Sequence, residues 1–343
     1  MTVAVGLLPV LLFLLALIYL DSYKLVRPRW VLAVLAAGCV LAVVCWFINA
    51  TLQSGLALSA TTYSRYVAPV VEEMAKALVV VWLVRTNRIG FLVDAAIYGF
   101  AIGTGFAVVE NLYYWYSLAN PSLPLWIVRG FGTAVMHGGT AAIFGIAGKT
   151  LAERRGLKRG AGWTIALLGA MAIHSAFNHF FLSPVLSTAF ILIVLPPLIF
   201  VVFQRSEKAL EGWLSVGFDA DTEVLEMILS GNLSSSHVGI YLHSLKERFS
   251  GEVVIDMLCC LRLHLELSLR AKGLLMMREA GFPVTLDAAD RAKLDELDFL
   301  ERGIGATGKL AMAPFLRTSA RDLWQIYMMR DEAARAARIK EAK

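Results

Sequence analysis

The stretch WVLAVLAAGCVLAVVCWFINA, residues 30–50, is a run of 21 residues without a charged side chain. The hydrocarbon core of a bilayer is about 30 Å thick, and a helix rising about 1.5 Å per residue crosses it in roughly 20 residues. The run therefore has the length and composition of a transmembrane helix. The whole chain is also strongly apolar. Of its 343 residues 58% are hydrophobic and 17% are charged, and the mean hydropathy is +0.65. We expect an all-α polytopic membrane protein.

Other apolar segments of comparable length surround this run. The predicted spans are residues 2–20, 30–50, 66–85, 91–112, 124–147, 163–182 and 185–203, about seven transmembrane helices in all. The first has no basic residue ahead of its apolar run, so we expect a retained helix and not a cleaved signal peptide. After Phe203 the chain becomes charged and mixed, with apolar residues at helical spacing. We predict a transmembrane core over residues 1–203 and a small all-α cytoplasmic domain over residues 204–343.

Basic residues in the short loops predict the orientation. They are Lys24, Arg27 and Arg29 in the first loop, Arg85 and Arg88 in the third, and Lys149, Arg154, Arg155, Lys158 and Arg159 in the fifth. We expect these loops to be cytoplasmic, with the amino terminus outside, the carboxy-terminal domain in the cytoplasm and the protein in the cell membrane as a multi-pass protein. This bias explains the net charge of +5, and no pattern typical of nucleic-acid binding is present.

Ionisable and polar side chains interrupt four of the predicted spans. They are Glu72, Glu73 and Lys76 in the third span, Asp94 and Glu110 in the fourth, Arg129 and His137 in the fifth, and His174, Asn178 and His179 in the sixth. A charge at the centre of a membrane costs about 2.5–3.5 kcal/mol on insertion scales, so such groups usually face a bundle interior and indicate function. Asp94 and Arg129 lie near span ends, where reaching water or forming a helix-end pair would explain them.

The spacing of these groups predicts one cavity in the outer half of the membrane. Glu72 and Lys76 are four residues apart and share a helix face, as do Phe106 with Glu110 and His174 with Asn178. By contrast, His179 is rotated by about 140° from His174 and points elsewhere. At about 1.5 Å per residue, the three glutamates and His174 lie within roughly 12 Å of the predicted outer face, and His137 lies near the midplane.

Four short motifs on successive spans resemble those of the PrsW family of intramembrane proteases. They are EEMAK (Glu72, Glu73 and Lys76), FAVVE (Phe106 and Glu110), VMHGG (His137) and HSAFN (His174 and Asn178). The resemblance covers residues 1–203 and is strongest over 66–182. The related CAAX endopeptidases carry arginine and histidine where this chain has Lys76 and Glu110, which argues against prenylated substrates.

The resemblance implies hydrolysis of a peptide bond in a membrane-anchored protein substrate, within the lipid bilayer. We expect Glu72 or Glu73 to act as general base on a water, with His174 and Asn178 donating hydrogen bonds to the oxyanion. In this hypothesis Glu110 and His137 position the water or the second glutamate, and Lys76 and Phe106 support the site. No serine or cysteine in these motifs has a base partner, so a covalent nucleophile is not expected.

Zinc is the alternative to metal-free catalysis, with Glu73, Glu110, His137 and His174 as its ligands. The HExxH spacing typical of zinc proteases is absent, and the sequence favours a glutamic protease without a cofactor. A single-span anti-sigma factor, cut in regulated proteolysis, is the substrate that the resemblance suggests. A non-catalytic membrane scaffold and a proton-coupled transporter remain as alternatives, and the sequence does not indicate an oligomeric state.

Overall fold

The structure is a computed structural model that describes residues 2–23, 25–119, 122–153, 158–282, 286–316, 324–326, 328–331 and 333. These residues are almost entirely helical, and no strand is present among them. The all-α prediction is therefore confirmed for the described part of the chain. Three basic residues used to predict orientation, Lys24, Arg154 and Arg155, lie outside it.

Ten helices of eight residues or more lie in the described part of the chain. In chain order they are α1 (Thr2–Tyr19), α2 (Pro28–Leu56), α3 (Ala68–Arg85), α4 (Leu92–Ser117), α5 (Ala134–Ala152), α6 (Arg159–His179), α7 (Pro184–Leu229), α8 (His237–Ser244), α9 (Gly251–Glu279) and α10 (Ala288–Met312). Two π-helical segments, Tyr63–Val67 and Val128–Thr133, lead directly into α3 and α5.

Four of these helices are long and apolar enough to cross a membrane, namely α2, α4, α6 and α7. The apolar part of α1, Val3–Tyr19, is shorter, and α3 and α5 fall outside the same limits of length and composition. A membrane-embedded helical protein is thus supported, whereas the count of seven spans and the orientation stay predictions. One boundary differs from expectation. The last predicted span ends at residue 203, but α7 continues to Leu229, because charged side chains on its later turns do not interrupt a helix.

The chain divides into two compact units, Met1–Glu207 and Lys208–Lys343. In the first unit α4 is almost wholly buried, and α2 and α5 pack against it. Glycines allow this close approach. A Cβ on Gly103 would lie 2.0 Å from the His137 carbonyl oxygen, and one on Gly105 would lie 1.9 Å from that of Leu35. Small residues at such contacts are a general feature of helix packing in membranes.

In the second unit α9 and α10 pack together around a core of leucine and methionine side chains. A buried ion pair joins α7 to α9, with Lys272 Nζ 2.5 Å from Asp221 Oδ2. Ser268 Oγ donates to the same oxygen, and Gln325 Nε2 donates to Ser268 Oγ at 2.8 Å. The unit is helical as predicted, but its cytoplasmic location stays a prediction.

Candidate active site

The two adjacent glutamates of α3 have different surroundings. Glu73 is fully buried, and its Oε1 accepts three hydrogen bonds, from Lys76 Nζ at 2.5 Å, His174 Nδ1 at 2.8 Å and Thr140 Oγ1 at 3.2 Å. These donors lie on α3, α6 and α5. A carboxylate bonded in this way joins three helices and is held in one orientation.

Glu72 is held more loosely, and 14% of its side chain is exposed. Its Oε1 accepts from Asn49 Nδ2 of α2 at 3.2 Å, and Tyr63 OH donates to Asn49 Oδ1 at 2.9 Å. Its second oxygen, Oε2, lies 3.9 Å from Nε2 of His174. That separation is too long for a direct hydrogen bond, and a water seated beside the two atoms could contact both.

His137 lies between Lys76 and Glu110. Its Nδ1 is 3.2 Å from Lys76 Nζ, and its Nε2 is 2.9 Å from Glu110 Oε2. Because an ammonium group has only donors, Nδ1 must accept and Nε2 carries the proton given to Glu110. The ring stands perpendicular to that of His174, with centroids 4.8 Å apart, and packs on Phe106 at 5.1 Å. Lys76 Nζ lies over the same Phe106 ring, 5.1 Å from its centroid.

Glu110 is the most exposed of the three carboxylates, with 27% of its side chain accessible. Its Oε1 lies 3.3 Å from Nη2 of Arg129, which belongs to the second π-helical segment. Arg129 is buried, so of the two explanations the sequence offered for it, pairing applies and contact with bulk water does not. Asp94, the other residue near a span end, caps its own helix by accepting from the backbone amides of Gly90 and Phe91.

The family model described as PrsW family intramembrane metalloprotease matches residues 27–203, just over half of the chain. The chain belongs to the PrsW family. The resemblance predicted from the four motifs is thereby confirmed, and with it intramembrane proteolysis of a membrane-protein substrate in a lipid bilayer. No curated protein and no solved structure matches this chain.

One predicted site residue of this PrsW protein, Asn178, lies apart from the others. The described structure brings together Glu72, Glu73, Lys76, Phe106, Glu110, His137 and His174. Asn178 is directed instead to the first π-helical segment, where its Nδ2 donates to the Ser64 carbonyl at 2.9 Å. Its role as oxyanion donor stays a prediction. His179 also points away, as expected, with its Nδ1 2.7 Å from the Ser175 carbonyl.

Several partners of the predicted site lie outside the four motifs. Asn49, Tyr63 and Thr140 each contact one of the motif glutamates or its immediate neighbour. Asn49 carries the clearest available signal, because it is an amide near the end of a long apolar run. Thr140 follows His137 by three residues and so shares its helix face, a spacing that could have indicated it. Tyr63 gave no signal, because a tyrosine near a membrane boundary is common.

The PrsW family description implies a metal, and three side chains of the site are placed so that they could hold one. One donor atom from each of Glu72, His137 and His174 lies within 4.8 Å of the others. Each histidine also contacts a separate carboxylate, Glu73 for His174 and Glu110 for His137. Histidines that bind metals usually have such a partner, so this chemistry fits zinc. The grouping contains Glu72, whereas the sequence-based set had Glu73 and Glu110 in its place.

Proposed function

We propose that this PrsW protein hydrolyses a peptide bond of a membrane-anchored substrate with a water that Glu72 activates. The observation that carries the proposal is the 3.9 Å gap between Glu72 Oε2 and His174 Nε2. A water bridging that gap would contact a carboxylate on one side and an imidazole on the other. Those are the groups that general acid–base catalysis most often uses.

The choice of Glu72 over Glu73 rests on hydrogen bonding. A general base needs a free lone pair that faces the water, and Glu73 is held in one orientation by three hydrogen bonds at Oε1 with almost none of its side chain exposed. On Glu72, Asn49 occupies Oε1 and leaves Oε2 directed toward His174. We therefore assign Glu73 the task of fixing Lys76 and His174, and Glu72 the task of taking the proton.

The reaction would proceed in two proton transfers. Glu72 takes a proton from the water as the oxygen attacks the carbonyl carbon, and the carbonyl oxygen becomes an oxyanion. A protonated His174 donates Nδ1–H to Glu73 and keeps Nε2–H for that oxyanion. Glu72 then returns its proton to the amide nitrogen, the C–N bond breaks, and a carboxylic acid and an amine leave. Lys76 and Arg129 lie close enough to offset the charge of the surrounding glutamates.

A metal-dependent version of the same hydrolysis is the second candidate, because the donor set fits and the family is described as a metalloprotease. Glu72, His137 and His174 would hold the ion, and Glu73 and Glu110 would orient the histidines. Bound zinc would supply Lewis acidity and a water of lowered pKa. We favour the metal-free form, because the Lys76 ammonium lies 3.2 Å from Nδ1 of His137 and a cation there would meet repulsion.

Metal analysis of the purified protein distinguishes the two forms. The metal-free proposal expects less than one tenth of an equivalent of zinc per chain and unchanged cleavage after dialysis against a strong chelator. Stoichiometric zinc, with activity lost in chelator and restored by added zinc, would instead establish the metal form. A variant with His174 replaced by glutamine serves as the control, since it should lose bound zinc only if zinc occupies this site.

We further propose that the site opens to the extracytoplasmic side and that a single-span protein, such as an anti-sigma factor, is cut there. The proposal rests on the predicted orientation, in which the three glutamates lie toward the outer face. Alanine at Glu72, at Glu73 and at His174 should each abolish cleavage of a single-span reporter, at unchanged protein level for Glu72→Ala and His174→Ala and at a lower level for Glu73→Ala, which leaves Lys76 without its counter-ion. Normal cleavage in all three would mean that another protease cuts the reporter, and would favour the scaffold or the proton-coupled transporter.

A further inference from the structure

Arg129 is a buried cation beside the site to which neither the motifs nor the proposed reaction assigns a specific task. It lies in the π-helical segment Val128–Thr133, immediately before α5. Such segments interrupt regular helices at a cost in hydrogen-bond geometry and occur frequently at functional sites. A buried guanidinium is also costly unless it is paired, so the contacts it makes require an explanation.

Three neighbours fix the plane of this guanidinium. Its Nε donates to Asn111 Oδ1 at 2.9 Å, and its face lies 3.7 Å from the ring centroid of Tyr114. Its Nη2 then faces Glu110 Oε1 at 3.3 Å as an ion pair. A lysine could supply the charge but neither the stacking nor the second donor in a fixed plane.

The carboxylate that Arg129 faces is the one that orients His137. Glu110 directs Oε1 at Arg129 and Oε2 at Nε2 of His137, 2.9 Å away. A carboxylate held at one oxygen has a defined direction for the other. The arginine therefore fixes where Glu110 Oε2 lies to receive the proton of His137, whose tautomer Lys76 requires from the other side of the ring.

The same contacts extend to α1, which precedes the segment matched by the family model. Asn111 accepts from Arg129 with Oδ1 and donates with Nδ2 to the Gly6 carbonyl at 2.8 Å. The backbone of α1 is fixed against the π-helical segment, since a Cβ on Gly130 would lie 2.0 Å from the Val5 carbonyl oxygen. Helix α1 thus supplies a fixed acceptor, the Gly6 carbonyl, at the end of the series of contacts that runs from Glu110 through Arg129 and Asn111.

We infer that Arg129 is a positioning residue that holds Glu110 against His137 and, through Asn111, anchors both to α1. Only the kinetic consequence of this inference rests on the proposed function. Its structural content, the His137–Glu110 hydrogen bond and its dependence on Arg129, holds for the metal-free and metal-dependent forms alike. The two claims can therefore fail separately.

The kinetic test is a double-mutant cycle on a fluorogenic single-span peptide that the wild-type protein cleaves in liposomes. We expect Arg129→Met to lower kcat about 100-fold with KM changed less than threefold, because small misplacements near reacting groups cost about that much. Arg129→Lys should recover about tenfold. In a Glu110→Gln background, Arg129→Met should cost less than threefold more, since coupled residues are not additive. Arg85→Met, an exposed arginine at the end of α3, is the control and should leave kcat unchanged.

The second measurement needs no activity. Proton–nitrogen-15 spectra of histidine-labelled protein, with His137 assigned from a His137→Asn variant, report which ring nitrogen carries the proton and how strongly that proton is hydrogen-bonded. We expect an Nε2–H proton shifted downfield by its hydrogen bond to Glu110 in the wild type, and the same tautomer with that proton shifted upfield in Arg129→Met. Unchanged spectra in Arg129→Met, or additive losses in the cycle, would overturn the positioning role. Altered spectra in Arg129→Met, with wild-type cleavage retained in Glu72→Gln, would leave the positioning role standing and reject the proposed function.

Discussion

At the scale of single residues, neighbours from other helices distinguish Glu72 from Glu73. The sequence places them side by side in one motif, and a rotation of about 100° between them means that they cannot share a direction. It could not predict that Glu73 accepts three hydrogen bonds and Glu72 one, because two of the donors to Glu73 lie on α5 and α6 and the donor to Glu72 lies on α2. Those contacts depend on how the helices pack together, which the spacing of residues within one helix does not predict.

The burial of Glu73 predicts a large effect on stability. Glu73→Gln would leave Lys76 buried without its counter-ion, and breaking a buried pair in this way costs about 3–5 kcal/mol. Thermal unfolding in detergent should therefore shift to lower temperature. Glu301→Gln, which removes an exposed pair with Lys309, is the control and should cost less than about 1 kcal/mol. Equal unfolding temperatures for the two variants would contradict the role assigned to Glu73.

Tyr63 predicts a smaller effect on rate. Tyr63→Phe removes the hydroxyl that donates to Asn49 Oδ1, so Asn49 loses the contact that directs its Nδ2 to Glu72. We expect kcat to fall about tenfold and stability to fall by about 1 kcal/mol, the usual contribution of one hydrogen bond. Tyr66→Phe, on the same π-helical segment but largely exposed, should change neither quantity. Equal kcat values for the two variants would show that the contact of Asn49 with Glu72 does not affect the rate.

At the scale of elements, the site depends on how closely α4 approaches α5. Apolar runs in the sequence indicated the helices, and hydropathy alone located most of them. The π-helical segments were not predictable in this way, because a π-turn changes the register of side chains without changing composition. Asn178 illustrates the consequence. Its spacing from His174 indicated a shared cavity, but the wider backbone of Tyr63–Val67 presents the Ser64 carbonyl to it.

A single methyl group tests the α4–α5 contact. Gly103→Ala would place Cβ 2.0 Å from the His137 carbonyl oxygen, so the helices must separate and carry His137 away from Glu110. We expect a loss of about 1–3 kcal/mol in stability, the cost of overpacking, together with strongly reduced cleavage. Gly169→Ala on α6 is the matched control, because a Cβ there meets nothing within 4 Å. Wild-type cleavage in Gly103→Ala would argue against the need for this approach.

At the scale of the whole molecule, composition predicted a helical membrane protein and the motifs predicted the family. The number of spans was harder to predict, because α3 and α5 carry the polar and charged side chains of the candidate site and are not among the helices that meet the limits for a span. The end of the membrane core was also hard to locate, since α7 continues past the change in composition without a break. The role of residues 204–343 stays open to experiment, because no motif there indicates chemistry.

The buried pair of the second unit tests whether that unit affects catalysis. Lys272→Met would leave Asp221 buried without its cation and should destabilise the unit by about 3–5 kcal/mol. Lys293→Met, which breaks a pair with Glu266 and is itself partly exposed, should cost less than about 1 kcal/mol. Cleavage at 20 °C should stay within twofold of wild type in both, because the proposed site residues all lie in the first unit. Loss of cleavage in folded Lys272→Met protein would show that the second unit controls the site.

The central claim is that Glu72 activates the water that cleaves the substrate. Its most direct test compares wild-type protein with Glu72→Gln, both purified and reconstituted in liposomes, in single-turnover cleavage of the fluorogenic peptide. We predict a rate at least about 100-fold lower for the variant, the usual contribution of a general base, with an unfolding temperature equal to that of wild type. A folded Glu72→Gln protein that cleaves at the wild-type rate would contradict the account.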